Sequence, residues 1–293
     1  MKDWMQVVFA PGFFQNTQVL NALWIGAIVA LLSGVIGIFV VLRGQSFAGH
    51  AISDFGGAGA AISFMFAINT LWGFLVFGVL SAIGIEAIGS QAKARDLATG
   101  IVLSVALGLE SLFLFLDTRF TGQASAPMMI LFGSVFLVKS SAVPILIGLT
   151  ALSVIVLIVI FRPLLFASIS PELAMTRGVP VHLIRFVFII LMALVVEETS
   201  LALGALMSSA LLIGPAAAAT LLTKKIGRAI FLAALIALVC MWAGIILAYD
   251  SFHWPPAGRG WPVSFFVCIL VLGFYLAARV TKAHITRGAT ANA

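Results

Sequence analysis

Charged residues are scarce in this chain. It has only 16 Lys and Arg and 10 Asp and Glu among 293 residues, which is 9% of the sequence. Soluble globular domains carry about 25% charged residues, so this chain has too few polar residues to cover a water-facing surface. Hydrophobic residues make up 62% of the chain, and the mean hydropathy is +1.21. These values exclude a soluble domain and predict a polytopic membrane protein.

Several catalytic motifs are absent as well. No Gly-Lys dipeptide occurs, which excludes a Walker A loop and ATP hydrolysis by that route. The HExxH, GxSxG and CxxC motifs are also missing. The two cysteines, Cys240 and Cys268, lie in separate apolar runs, as buried small hydrophobic residues do. We therefore expect neither an enzyme nor a covalently bound cofactor.

Long apolar runs define the fold class. A helix needs about 20 mostly apolar residues to cross the hydrocarbon core. The segment 126–138 is shorter and is predicted to be re-entrant or interfacial. With no soluble linker in sight, the sequence predicts one all-α transmembrane domain over residues 1–293, a helical bundle of about 8–9 spans. The candidate spans are 17–42, 47–68, 71–90, 97–117, 142–162, 182–198, 201–222, 228–248 and 262–281.

The positions of the basic residues predict the orientation of the bundle. Cytoplasmic loops carry an excess of Lys and Arg, and one set of alternate loops holds most of them. With nine spans, this places the N-terminus outside and the C-terminus in the cytoplasm. The basic residues are not interleaved with aromatic residues along a groove, so nucleic acid is excluded as a partner. The basic set comprises Arg43, Lys93, Arg95, Arg162, Arg177, Arg185, Lys224, Lys225, Arg228, Lys282 and Arg287.

His50 and Asp54 lie inside the second apolar run. Residues four apart share one face of a helix, so the two side chains form a stripe that continues into Gly57 and Ala61. Charged groups below the headgroups are costly and usually face a cavity, a partner or a pathway. Imidazole with carboxylate suits Zn(II), Mn(II) or Fe(II). Transient metal binding is one interpretation, and a local His–Asp hydrogen bond that packs two helices is the other.

Four further acids fall in or near predicted spans. Glu110 sits in mid-span and is a candidate third group on a metal path, and Glu86 lies toward the cytoplasmic end of its span. Either acid could instead pair with a basic residue or a backbone group. Glu197 and Glu198 mark the seam between the sixth and seventh spans, where we expect them at the outside mouth or in a solvated turn.

One basic loop predicts a short helix parallel to the membrane on the cytoplasmic side. Ser170 is a natural N-cap, Pro171 suits the first helical position and Glu172 suits the first turn. Gly178 is a plausible residue to follow the helix. The segment between carries apolar Leu173 and Met175 and charged Arg177. The segment is interpreted either as a simple connection or as a docking element that transmits a push from a cytoplasmic partner.

Several stretches, taken in order, resemble the permease subunit of the zinc/manganese/iron ABC importer family. They are VVLRGQSFAGHAISDFGGAGAAI, KARDLATGIVLSVALG, ILFGSVF, SPELAMTRGVP and ALGALMSSALLIGPAAAATLL. The resemblance implies a permease homodimer in a bacterial inner membrane, with two cytoplasmic ATP-binding-cassette subunits that use the ATP and an extracytoplasmic metal-binding protein. It also implies metal-coordinating groups at His50 and Asp54, and an ATPase docked on the loop helix. The family order is Asp first and His second, and here it is reversed.

The residues leave other functions open. A permease for a metal chelate or another small solute would use His50 and Asp54 only for packing. A membrane-embedded enzyme would be active without an ATPase. A channel or secondary carrier would use the His–Asp pair as a proton relay and would show flux without ATP.

Overall fold

The computed structural model describes residues 13–88, 92–120, 125–133, 135–138, 142–254 and 260–291, and no strand occurs among them. Two short 3₁₀ turns, Phe13–Gln15 and Val135–Leu137, accompany the α-helices. The helices are α1 (Thr17–Leu42), α2 (Ser46–Met65), α3 (Thr70–Ile88), α4 (Ala92–Phe120), α5 (Ser125–Phe132), α6 (Val143–Ile169), α7 (Pro171–Thr176), α8 (Val181–Leu203), α9 (Ala205–Leu222), α10 (Ile226–Ser251) and α11 (Val263–Ala291).

Eight of the helices in the described part of the chain are long and apolar enough to cross a membrane. They are α1, α3, α4, α6, α8, α9, α10 and α11. This confirms the predicted all-α bundle of about 8–9 spans. The short segment after α4 forms the eight-residue α5 and the second 3₁₀ turn, in agreement with its predicted inability to span.

Helix α2 occupies the centre of the bundle. It packs against α3, α4, α5, α8 and α9, and 13 of its 20 residues are buried. Its composition, rich in Gly, Ala and Ser, keeps it outside the set of eight apolar helices. Because neighbouring protein rather than lipid surrounds α2, its side chains need not be strongly apolar. Small side chains also allow the backbones of adjacent helices to approach closely.

The boundary between α8 and α9 differs from the predicted seam at 197–199. Helix α8 continues through Glu197 and Glu198 to Leu203, and the break falls at Gly204. Gly204 has φ +87°, a backbone conformation that only glycine adopts readily. The acids therefore lie inside a continuous helix, where their backbone groups are already paired.

Candidate metal site

His50 and Asp54 lie one turn apart near the start of α2. His50 Nε2 is 3.6 Å from Asp54 Oδ2, which is beyond a good hydrogen bond. The His50 side chain is 34% exposed, whereas that of Asp54 is fully buried. Neither Asp54 oxygen has a hydrogen-bond partner among the described residues. The predicted stripe therefore exists, with an accessible imidazole leading to an enclosed carboxyl group.

Helix α4 brings Glu110 to the same place. Glu110 is buried, and a Cβ atom on Gly57 would overlap its Oε1 atom. Gly57 stands three residues after Asp54 on α2, and the carboxyl groups of Asp54 and Glu110 interact electrostatically. The absence of a side chain at Gly57 is what admits Glu110 to this surface.

Glu197 of α8 completes the group, in a position that the sequence did not predict. The expected outside mouth or solvated turn is wrong for both Glu197 and Glu198, because both side chains are buried. Glu197 enters a cradle made by Gly56 of α2 and Gly78 of α3, where a Cβ on either glycine would overlap its carboxylate. We call Asp54, Glu110 and Glu197 the acidic cluster, since Glu197 interacts electrostatically with both other acids.

A serine network fixes the helices around the acidic cluster. Ser53, next to Asp54, bonds the hydroxyls of Ser200 at 2.9 Å and Ser208 at 2.6 Å, and donates to the carbonyl of Ala205 at 2.6 Å. These contacts join α2 to α8 and α9. On the adjacent face of α8, Thr199 bonds Ser33 of α1 at 2.8 Å. These bonds fix the rotation of α8 about its axis, and they thereby fix the direction in which Glu197 points.

Glu198 and Glu86, the other two acids that the sequence placed in or near spans, have other partners. Glu198 Oε2 accepts a hydrogen bond of 2.8 Å from Thr150 of α6. Glu86 forms an ion pair with Arg185 of α8, which is the pairing with a basic residue that the sequence left open. Neither acid is part of the acidic cluster.

The described residues do not gather three or more His, Cys, Asp or Glu side chains closely enough to enclose a metal ion. His50 and Asp54 are nevertheless ligand types that accept Mn(II), Zn(II) or Fe(II). Both Glu197 oxygens and Glu110 Oε1 also lack hydrogen-bond partners in the described part of the chain. Carboxyl oxygens that are unpartnered but do not enclose a site suit brief contact with a cation better than storage of a tightly held ion.

The predicted loop helix forms as α7, six residues long. Ser170 occupies the N-cap position through its carbonyl, which accepts from the Ala174 amide at 3.0 Å. Its hydroxyl makes no capping bond, unlike the usual serine cap. At the other end Gly178 adopts φ +76°, and its amide bonds the Met175 carbonyl at 3.0 Å. The Val179 amide bonds the Ala174 carbonyl at 3.0 Å, so the helix ends in a Schellman motif.

The side chains of α7 divide sharply by exposure. Ala174 is fully buried against the bundle, whereas Leu173 and Met175 are 59% and 50% exposed. Glu172 and Arg177 are exposed too. The helix therefore presents two large apolar side chains and two charges away from the bundle that anchors it.

Comparison with known proteins places this architecture in a family. Residues 15–277 match the ABC 3 transport family. The chain is 32% identical over 244 residues to the manganese transport system membrane protein MntC of Listeria innocua, covering 83% of this chain and 86% of that protein. It is 31% identical over 243 residues to the manganese import system permease protein ScaB of Streptococcus parasanguinis, covering 83% and 85%.

Solved structures agree with the sequence relatives. PsaBC from Streptococcus pneumoniae in complex with Fab matches with a TM-score of 0.77 and 28% identity, over 91% of this chain and 92% of that one. An inward-facing putative metal-chelate type ABC transporter matches with a TM-score of 0.70 and 17% identity, covering 94% and 89%, and shares the fold. The chain belongs to the ABC 3 transport family. It is a multi-pass membrane transport protein and not an enzyme.

Proposed function

We propose that this member of the ABC 3 transport family is the permease of an ATP-driven importer whose substrate is a divalent transition metal ion, with manganese first and zinc or iron as the alternatives. The main support for this proposal is the acidic cluster beside His50. It consists of three buried carboxyl groups from three helices, with unpartnered oxygens, in the middle of an apolar bundle. The manganese relatives support the choice of metal.

The electrostatics of the acidic cluster favour a cation over a neutral solute. Bringing acids together in a low-dielectric interior is costly unless a positive group offsets them. In the described part of the chain, Asp54 forms no ion pair with a Lys or Arg residue. Its ion-pair contact is with His50. A passing divalent ion offsets the cost transiently, and Glu110 and Glu197 then succeed Asp54 as ligands.

His50 is proposed as the group that exchanges ions with the accessible side of the path. Its partial exposure contrasts with the complete burial of Asp54 one turn further along α2. The reversed order of His and Asp, relative to the family pattern, therefore puts the imidazole at the accessible position and the carboxylate at the enclosed one. We expect this reversal to affect metal preference more than the existence of the path.

Helix α7 is proposed as the docking element for the ATPase. Its residues Ser170, Pro171, Glu172, Leu173, Met175, Arg177 and Gly178 form the coupling segment. Exposed Leu173 and Met175 offer apolar area to a partner, and the Schellman motif at Gly178 makes the end of the helix rigid enough to transmit force. A permease homodimer, two ATP-binding-cassette subunits and an extracytoplasmic metal-binding protein complete the proposed assembly. The N-terminus would lie outside and the C-terminus in the cytoplasm.

Metal accumulation in cells tests this function. Cells that express the permease with its ATPase should accumulate manganese, and the His50→Ala/Asp54→Ala double variant should lose that uptake at equal membrane expression. The matched control is Ser104→Ala, because Ser104 is exposed and bonds only the Gly100 carbonyl of its own helix. If the wild type moves none of Mn, Zn and Fe, a metal chelate becomes the better substrate. Unchanged uptake by the double variant would reduce the pair to a packing contact.

A further inference from the structure

We propose that the Glu86–Arg185 ion pair is a positioning contact that transmits movement of α7 to the helices carrying the acidic cluster. The inference rests on the proposed function, in which α7 receives the push of the ATPase. Glu86 stands near the end of α3, and Arg185 stands near the start of α8. The two side chains are 10% and 18% exposed, so the pair is held largely away from solvent.

Movement of α7 must reach the start of α8. Only Arg177 to Pro180 separate the two helices. This link is tied down, since the Val179 amide bonds Ala174 of α7 and the Val181 amide bonds the Val179 carbonyl at 2.8 Å. A displacement of α7 therefore moves the start of α8, where Arg185 is the fifth residue, rather than being absorbed by a slack loop.

Helices α3 and α8 touch at two levels. The end of α3 and the start of α8 are joined by Glu86 and Arg185. Deeper in the bundle, Glu197 of α8 contacts Gly78 of α3. Twelve residues separate Arg185 from Glu197, about 18 Å along α8 at 1.5 Å per residue. Contacts at two separated levels make α3 and α8 move as one body, whereas a single level would act as a hinge.

Helix α3 then carries the displacement to α2. A Cβ on Gly59 of α2 would overlap the Gly73 carbonyl of α3, and a Cβ on Gly73 would overlap the Gly59 carbonyl. Such close backbone contact leaves little room for α2 to slip past α3. His50 and Asp54 sit on α2, so the route from α7 ends at the proposed ligands.

The ion pair has a directional role that simple packing lacks. A charged, hydrogen-bonded pair fixes distance and orientation together, and an apolar contact of similar size permits sliding. Replacing both members of a buried pair by apolar residues of similar volume often leaves stability unchanged, because no unpaired charge remains. The Glu86→Met/Arg185→Met double variant therefore separates a coupling role from a stabilising one.

The experiment uses the permease assembled with its ATPase in liposomes, and it measures manganese uptake and ATP hydrolysis together. We expect the Glu86→Met/Arg185→Met variant to assemble and to hydrolyse ATP, and its unfolding temperature should equal that of the wild type. Its uptake per ATP should fall about tenfold, within the range of ordinary coupling energies. The single variant Arg185→Lys, which keeps the charge, should retain part of the wild-type manganese uptake per ATP. Lys225→Met, which removes an exposed charge elsewhere on the bundle, should leave the ratio at the wild-type value.

A distance measurement keeps the test independent of the transported metal. Spin labels at Thr176 and Phe47, both exposed and both outside the proposed docking residues, report the separation of α7 and α2 once Cys240 and Cys268 are replaced by Ser. Nucleotide should leave that distance nearly unchanged in the otherwise wild-type complex, where α7 and α2 move together, and should change it in the double-Met variant, where α2 no longer follows α7. Unchanged uptake per ATP in the double-Met variant, or a distance that nucleotide alters equally in both proteins or in neither, would overturn the inference. A wild-type complex that moves no metal, together with a nucleotide-dependent distance change confined to the double-Met variant, would instead count against the proposed function alone.

Discussion

A methyl group placed at Gly78 should show whether Glu197 occupies its glycine cradle. The Cβ of Gly78→Ala would overlap the Glu197 carboxylate, so the carboxylate or α3 has to move. Overpacking of this kind costs about 1–3 kcal/mol. Alanine also gains about 0.5–1 kcal/mol over glycine inside a helix, so the net free energy of unfolding changes less than the overpacking cost alone.

Gly84→Ala is the matched control for that change. Gly84 lies on the same helix, and a Cβ there would meet nothing within 4 Å. It should receive the helix gain of about 0.5–1 kcal/mol without any overlap. The two variants should therefore differ by about 1–3 kcal/mol in the free energy of unfolding, with Gly78→Ala the less stable.

Denaturant titration of the purified complex in detergent measures this difference, and manganese uptake measured in parallel reports on function. Uptake should fall in Gly78→Ala and stay at the wild-type level in Gly84→Ala. Equal stability and equal uptake in the two variants would refute the placement of Glu197 against α3. Combining Gly78→Ala with the shorter Glu197→Asp should relieve part of the overlap, which would appear as non-additive free energies.

Three further outcomes are expected. Ser53→Ala removes the hub of the serine network and should destabilise the complex by about 1–3 kcal/mol, whereas Ser104→Ala should stay within about 0.5 kcal/mol; equal midpoints in denaturant would argue against the network. Gly178→Ala strains a backbone at φ +76° and should cost about 1 kcal/mol and weaken ATPase binding, unlike Gly227→Ala, where a Cβ is equally unobstructed and φ is not positive. Leu173→Glu should reduce recovery of the ATPase with the permease in pull-downs while membrane expression is unchanged, because this exposed side chain lies on the proposed docking face.

Local features of the chain could be predicted from its sequence. Hydropathy set the apolar runs that became eight of the helices, and the four-residue spacing of His50 and Asp54 placed both on one face of α2. The residues around α7 were equally informative, since Pro171 and Gly178 occupy the predicted ends of that helix. These features depend on interactions within a few residues, which a sequence displays directly.

Long-range packing could not be predicted in the same way. The burial of Glu197 depends on Gly56 and Gly78, which lie more than a hundred residues earlier in the chain. Two adjacent acids resemble a solvated turn when their surroundings are unknown. The break at Gly204 did carry a signal, because glycine is the residue that supplies positive φ between two apolar helices.

Anomalous diffraction at the manganese edge from the assembled transporter tests directly the proposal that Asp54 binds the transported metal. In crystals grown with Mn(II), we expect a manganese peak within coordination distance of the Asp54 carboxylate, with Glu110 or Glu197 as a neighbour. The peak should disappear in the isosteric Asp54→Asn variant and persist in Ser104→Ala. A manganese peak confined to another part of the bundle, or one that survives in Asp54→Asn, would contradict it.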